Sequence, residues 1–236
     1  MKIGLFADPH YATKKTACIT RRPSLSFRKA TEAVRAFRDA GVRFIVCLGD
    51  LIDSDFSRKQ EEKNLAEIGE LLVSSGIPCY CCMGNHDAFI FSKEAFAQIS
   101  GLTAAPRSFS DENKLFILLD ACYHSDGSAY SCKNTDWTDS FIPNEQVEWL
   151  KNTLQSSSAA EVTVFIHQNL DPTVEERHII KNAAQIREIL ERDGRVKTVY
   201  QGHYHPGKTT VHNHIRYVTL KAMCEGDDNS YIIIDI

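Results

Sequence analysis

The chain has 236 residues, 43% of them hydrophobic and 25% charged, with a formal net charge of −4. That length and balance suit a globular α/β protein with a sizeable core. The acidic excess argues against a dedicated nucleic-acid surface, which normally shows a basic one, and leaves room only for a local basic patch.

In chain order, Ile3–Ala7 reads as a buried strand, followed by a long first loop from Pro9 to Ser26 that holds Arg21, Arg22 and Pro23. From about Ser26 to Ala40 the positions Ala30, Ala33, Val34, Phe37 and Ala40 keep helical spacing, and Gly41 ends the run. Arg43–Leu48 is a second strand, apolar throughout as a strand covered on both faces should be. Ser57-Arg58-Lys59-Gln60 opens a helix as a capping box, Gly76 closes it, and Ile77–Met83 is a third strand.

A short helix follows at Ser92–Ile99, then strands near Arg107–Ser110 and Lys114–Leu119. The polar stretch from Ala121 to Ile142 reads as a long surface loop, and Asn144 as the cap of a helix carrying Val147, Leu150 and Leu154. Val162–Ile166 is a strand. Thr173 and Glu176 then form a capping box for a helix running through Ile179, Ile186 and Leu190. Val196–Gln201 and three shorter strands, near Lys208–His212, Ile215–Leu220 and Tyr231–Ile234, complete the chain.

No repeat, low-complexity stretch or linker interrupts this order, so one domain over residues 1–236 is expected. The strand–helix alternation of the N-terminal half predicts a mostly parallel sheet of βαβ units, with an added β region at the C-terminal end. Ligand sites in such sheets fall at the carboxyl ends of strands. The apolar run after Lys2 is cut off by Asp8, too soon for a secretory leader, and no stretch approaches a membrane-spanning length. Of eight cysteines, Cys47, Cys79, Cys81 and Cys82 lie in apolar strand-like runs, and the C-x-x-C spacing from Cys79 to Cys82 has no second module to pair with. They read as buried thiols of a reducing cytoplasm.

Five polar motifs punctuate the strands: Asp8-Pro9-His10, Gly49-Asp50-Leu51-Ile52-Asp53, Gly84-Asn85-His86-Asp87, the solitary His167, and Gly202-His203-Tyr204-His205. Each follows an apolar run, so each belongs at a strand's exit. Two divalent metals need several oxygen and nitrogen donors and one group shared between them. Carboxylate and imidazole suit manganese, iron or zinc, and an amide oxygen adds a weaker ligand. Each motif alone is weak evidence; in order, each after a strand, they point to one dinuclear hydrolytic site.

The pattern D-x-H, GD-x-x-D, GNHD, H, GH-x-H, running from Asp8 to His205, resembles the calcineurin-like metallophosphoesterase superfamily. Gln146-Val147-Glu148-Trp149-Leu150 is similar to the Q-x-x-W-L helix of its phosphodiesterase-like members. The resemblance implies a layered αββα fold and a hydrolase acting on phosphoric esters. It also implies one metal on Asp8, His10 and His205, a second on Asn85, His167 and His203, and Asp50 bridging them. A hydroxide between the metals would attack phosphorus in line. His86 would bond a phosphoryl oxygen or protonate the leaving group, with Asp53 orienting it. The expected substrate is a small anionic molecule carrying a phosphodiester or nucleotide-type phosphate. A phosphomonoester on the same site is the alternative, and a non-catalytic protein-binding scaffold a third reading, disfavoured because no ligand is missing.

Departures from the family pattern narrow the branch. Ser54 and Asp87 stand where Ser/Thr protein phosphatases carry arginine and glutamate, and Asn169 stands where many phosphodiesterase-like members carry proline. A zinc hydrolase of the metallo-β-lactamase type would need an H-x-H-x-D-H cluster that this chain lacks. His212 and His214 repeat the H-x-H spacing without the glycine turn and read as a solvated strand or hairpin face; His124 and His178 read as surface residues. Arg21-Arg22 is either a phosphate clamp or a solvated charge pair. Tyr123, Tyr130 and Trp137 either line a pocket wall or pack their loop down.

Overall fold

The computed structural model describes residues 1–236. Its elements in order are β1 (Lys2–Phe6), α1 (Ser26–Ala40), β2 (Phe44–Cys47), α2 (Arg58–Val73), β3 (Cys79–Cys81), α3 (Asn85–Ile90), α4 (Lys93–Ser100), β4 (Arg107–Asp111), β5 (Lys114–Leu118), α5 (Asn144–Ser156), β6 (Glu161–Ile166), α6 (Ala183–Asp193), β7 (Val196–Gln201), β8 (Lys208–His212), β9 (Ile215–Thr219) and β10 (Ile232–Asp235). They form two sheets, β10-β1-β2-β3 and β4-β5-β6-β7-β9-β8. Strands β1, β2 and β3 run parallel, as do β5, β6, β7 and β9; β10, β4 and β8 are antiparallel edges.

Side-chain alternation explains the layering. Ile3, Leu5, Phe44 and Val46 of the first sheet meet Phe116, Leu118, Phe165 and Tyr200 of the second in an inter-sheet core. The opposite faces of the first sheet, Phe6, Ile45 and Cys47, pack under α1, α2 and α4 through Phe37, Ile68 and Phe96. Ile117, Val164 and Val199 of the second sheet lie under α5 and α6. The result is an αββα sandwich, as the sequence led us to expect, and both buried sheets need strands apolar on both faces.

Several boundaries differ from the sequence reading. The Gly-Asn-His-Asp motif is not a plain loop: Asn85 begins α3. Thr173 and Glu176 open no long helix. Asp171 takes the Thr173 amide and hydroxyl in an Asx turn (both 2.8 Å), only a short 3₁₀ turn spans Glu176–His178, and α6 starts at Ala183. Pro143, not Asn144, precedes α5 as its N-cap. Ser57 accepts the Gln60 amide as expected, but the Gln60 side chain bonds Asn64, so the box is half formed.

The stretch 121–142 is packed down rather than loose: Cys122, Tyr130 and His124 are buried, with the His124 ring 4.5 Å from Tyr130 and its Nδ1 3.6 Å from Asp139. His124 is therefore not a surface residue. His212 closes β8, and His214 sits in the following turn rather than on the strand, where Asn213 and His214 both take positive φ. Gln146 clamps the Asp120 backbone, accepting from its N–H (2.8 Å) and donating to its carbonyl (2.7 Å). All eight cysteines are unpaired, and Cys18 and Cys132 are exposed. No helix is long and apolar enough to cross a membrane.

Candidate metal centre

The carboxyl ends of β1, β2, β3, β6 and β7 converge, and each delivers one motif: Asp8 and His10, Asp50 and Asp53, Asn85 and His86, His167, and His203 with His205. Asp8, His10, Asp50, Asn85, His167 and His203 are buried. One atom organises the cluster. Asp50 Oδ2 lies 3.3 Å from His10 Nε2 of the first sheet and 3.4 Å from His167 Nε2 of the second. His10 Nε2 is 3.2 Å from His205 Nε2, which is 3.7 Å from Asp8 Oδ1. On the other side, Asn85 Oδ1 is 3.3 Å from His167 Nε2. Asp50, His167 and His203 place donor atoms within 4.8 Å of one another.

The backbone is bent to achieve this. Asp8, His10, Asp50 and His203 all adopt positive φ (52°, 47°, 50° and 67°), a conformation costly for non-glycine residues and concentrated at functional sites. Hydrogen bonds hold them there: Asp8 accepts the His203 amide through both oxygens (3.0 and 3.1 Å), and Asp50 Oδ1 accepts the His86 amide (2.8 Å). Two glycines are required by contact. A Cβ at Gly84 would overlap the Asp50 carboxylate, and one at Gly202 would stand 2.7 Å from Asp8 Oδ2.

Charge and protonation fit a metal. Burial pushes His10 and His203 well below the ordinary imidazole range, so each is neutral with a free lone pair, the form that ligates. His203 Nε2 is buried with no hydrogen-bond partner. His167 donates Nδ1–H to the Leu48 carbonyl (2.7 Å), which turns Nε2 toward Asp50. Burial opposes a charge on His167, yet Asp50 outweighs it and raises the ring to about 10, so a proton there balances the carboxylate as a cation would. Burial raises Asp8, with further repulsion from Asp50, even though the neighbouring His167 and His205 rings favour its charge. Two buried carboxylates amid facing nitrogens are a donor set for cations.

Beside these donors, His86 Nδ1 bonds Asp53 Oδ1 at 3.0 Å, and Asp53 Oδ2 lies 3.6 Å from Arg21 Nη1. Arg21 lines the pocket above the cluster, whereas Arg22 turns away to the Ile19 carbonyl (2.8 Å) and Asp227 (3.8 Å). The pocket, about 480 Å³, is walled by Trp137, Glu175, His178 and Tyr204. Trp137 stands edge-on to His203 (5.3 Å) and is covered by the Arg177 guanidinium (4.5 Å), so it belongs to the wall rather than only to its own loop. His178, expected at the surface, is half-buried here, 5.3 Å from both His203 and Trp137. Asn169 joins three of these pieces. It donates to the Gly202 carbonyl (3.0 Å), accepts from Thr219 (2.7 Å) and pairs its backbone with His178.

Three further residues have no role assigned by the sequence. Asp87 accepts the amides of Leu51, Ile52 and Gly84 (3.1, 3.1 and 3.0 Å) and so locks two motif loops together. Glu225 bonds His205 Nδ1 at 2.6 Å. Lys29, fully buried, donates to the Met223 and Gly226 carbonyls. The spacing Gly-Asn-His-Asp hinted at Asp87; nothing local marked the other two.

Comparison with known proteins gives a consistent picture. A family model described as calcineurin-like phosphoesterase matches residues 1–207. The chain is 23% identical over 228 residues to the 3',5'-cyclic adenosine monophosphate phosphodiesterase CpdA of Escherichia coli K12, covering 95% of this chain and 76% of that one. It is 21% identical to the CpdA of Haemophilus influenzae, covering 95% and 77%. Among solved structures, a dimetal phosphatase of Danio rerio superposes with a TM-score of 0.83 at 20% identity, covering 98% of this chain and 91% of that one.

Proposed function

This chain belongs to the calcineurin-like phosphoesterase family, a hydrolase acting on phosphoric ester bonds, and from that premise we propose that it cleaves a small nucleotide-type phosphodiester at a dinuclear metal centre. The observation that carries the reading is Asp50 Oδ2, flanked by ring nitrogens from two different sheets. That is the placement a shared carboxylate ligand requires. Asp8, His10 and His205 would hold one ion and Asn85, His167 and His203 the other, with Asp50 common to both. Manganese or iron suits this mixture of carboxylate, amide and imidazole, and zinc is chemically compatible. When bound, the ions activate water and neutralise the charge that develops on the phosphoryl oxygens.

The chain's own residues supply the rest. His86, with Nδ1 engaged by Asp53, has Nε2 left to donate to a phosphoryl or leaving-group oxygen. Arg21 beside Asp53 adds a guanidinium on the pocket side, placed to pair with a second phosphate oxygen. Trp137, His178 and Tyr204 give the pocket an aromatic wall on which a planar group can stack. The two CpdA relatives, whose names specify a cyclic nucleotide phosphodiesterase, support a diester over a monoester.

A manganese-dependent screen tests the proposal, comparing bis(p-nitrophenyl) phosphate, p-nitrophenyl phosphate, cyclic nucleotides and nucleoside diphosphate derivatives. The expected result is diester turnover that exceeds monoester turnover, disappears with a chelator and returns with manganese. A fully metal-loaded protein that turns over only the monoester would reverse the diester assignment. One that hydrolyses nothing would favour the scaffold reading.

A further inference from the structure

The ring of His205 has two nitrogens with different neighbours. Nε2 faces the cluster, 3.2 Å from His10 Nε2 and 3.7 Å from Asp8 Oδ1. Nδ1 faces away from it, 2.6 Å from Glu225 Oε1. A carboxylate at that distance accepts a hydrogen bond, so Nδ1 carries the hydrogen and, in the neutral ring, Nε2 carries the lone pair. Cys224 Sγ, 3.9 Å from the same Nδ1, is a much weaker acceptor. Glu225 therefore selects the tautomer and fixes the ring plane.

Glu225 can do this only because its own backbone is held. Residues 222–226 are stitched to the exit of β1 by the Met223 and Cys224 amides, which donate to the Ala7 and Asp8 carbonyls (2.9 and 3.1 Å). The Ala222 amide donates to the His205 carbonyl (3.0 Å), and the Gly226 amide to Thr20 (3.0 Å). Lys29 of α1 closes the turn from inside, giving its ammonium to the Met223 and Gly226 carbonyls, each 2.8 Å away, on either side of Glu225. A fully buried ammonium is expensive unless hydrogen-bonded, and these carbonyls are what it is spent on. The turn lies beyond residue 207, where the family match stops.

We propose that Glu225, set in place by the Lys29-clamped turn, is a positioning residue that orients His205 for the metal shared with Asp8 and His10. The assignment rests on the dinuclear reading above. Partners of this kind typically contribute a factor of about 10–100 to metal affinity.

Manganese titration by calorimetry, with metal content and the Mn(II) electron paramagnetic resonance spectrum recorded alongside, separates the two claims. Wild type is expected to bind two ions and to show an exchange-coupled spectrum. Glu225→Ala is expected to weaken one site by about 10–100-fold, leave the other unchanged and turn the spectrum mononuclear at limiting manganese. Glu225→Gln, which keeps an acceptor oxygen, should fall between the two. Circular dichroism of the metal-free variants checks folding, and the Gln variant alone decides the matter if the Ala variant unfolds. Two sites of wild-type affinity in Glu225→Ala, or equal weakening of both, would overturn the positioning role while leaving the metal centre intact. A wild type that takes up no manganese would overturn both readings.

Discussion

The floor and the wall of the pocket are built by different means. The floor, Asp8, His10, Asp50, Asn85, His167 and His203, is buried, and several of its members are held in strained conformations by hydrogen bonds to carboxylates. The wall, Trp137, Glu175, His178 and Tyr204, is half-exposed or exposed and rests on ring contacts of about 5 Å without a shared hydrogen bond among its rings. A floor tied down from several directions cannot adapt, which suits a fixed transition-state charge. A wall whose side chains meet only through ring contacts is freer to vary than the floor, although the His178 backbone is tied to Asn169. Under the proposed function, the floor would set the reaction type and the wall the choice of substrate.

Replacing Asp50 is the harshest attack on the floor. Asp50→Asn keeps the shape, removes the charge and puts a donor where an acceptor is needed, so kcat/KM on an aryl diester with manganese should fall by roughly 10³-fold or more. Unchanged kcat/KM would deny Asp50 its shared role. Asp87 tests the floor's rigidity separately. Asp87→Ala strands three buried amides, each costing about 1–3 kcal/mol. Denaturant unfolding of the metal-free protein should show a loss of about 3 kcal/mol or more, and a loss below about 1 kcal/mol would mean that water fills the gap.

The same division decides what could be read from the sequence. Asp8, His10, Asp50, Asn85 and His203 sit in short strings at strand ends, the last three directly after glycines, so local pattern and strand prediction are enough to find them. The nearly continuous apolar runs that mark β1, β2 and β6 likewise point to strands covered on both faces. Asp87 acts on Leu51 and Ile52, 36 and 35 residues away, and Glu225 on His205, 20 residues away, through an ordinary-looking carboxylate in each case. His178 reads as a surface histidine in the sequence because a lone histidine in a polar stretch has no periodicity to reveal its face. The Thr173-x-x-Glu176 box does not form for a local reason: Asp171 accepts both the Thr173 amide that Glu176 would cap and the Thr173 hydroxyl, in an Asx turn.

His86 lies between floor and wall, so its loss should affect turnover and spare metal. His86→Ala is expected to lower kcat by about 10²-fold with both ions retained; loss of either ion would make it a ligand. Its partner can be tested in the metal-free protein. Burial favours the neutral ring, but Asp50 and the Asp53 hydrogen bond outweigh it and raise the pKa above the ordinary value. Because the carboxylate favours the charged ring, Asp53→Asn must lower the pH at which the imidazolium loses its proton. Nitrogen NMR of the histidine ring would show the titration moving to lower pH. A shift upward, or none, would place the source of the raised pKa elsewhere.

The wall should contribute binding without chemistry. Trp137→Ala is expected to raise KM for a nucleotide diester by roughly ten-fold, the usual worth of one base–aromatic stack, with kcat within about two-fold. Trp137→Phe, which keeps a ring, should recover most of the loss. The risk to this reading is built into the geometry, because the Trp137 ring also stands 5.3 Å from His203. If the indole served mainly to buttress that histidine, removing it would lower metal content and kcat together, and KM would move little. The ratio of the two effects therefore measures how cleanly wall and floor are separated. A pure KM effect means the wall can be exchanged to change substrate, whereas a kcat effect means Trp137 belongs to the floor despite its exposure.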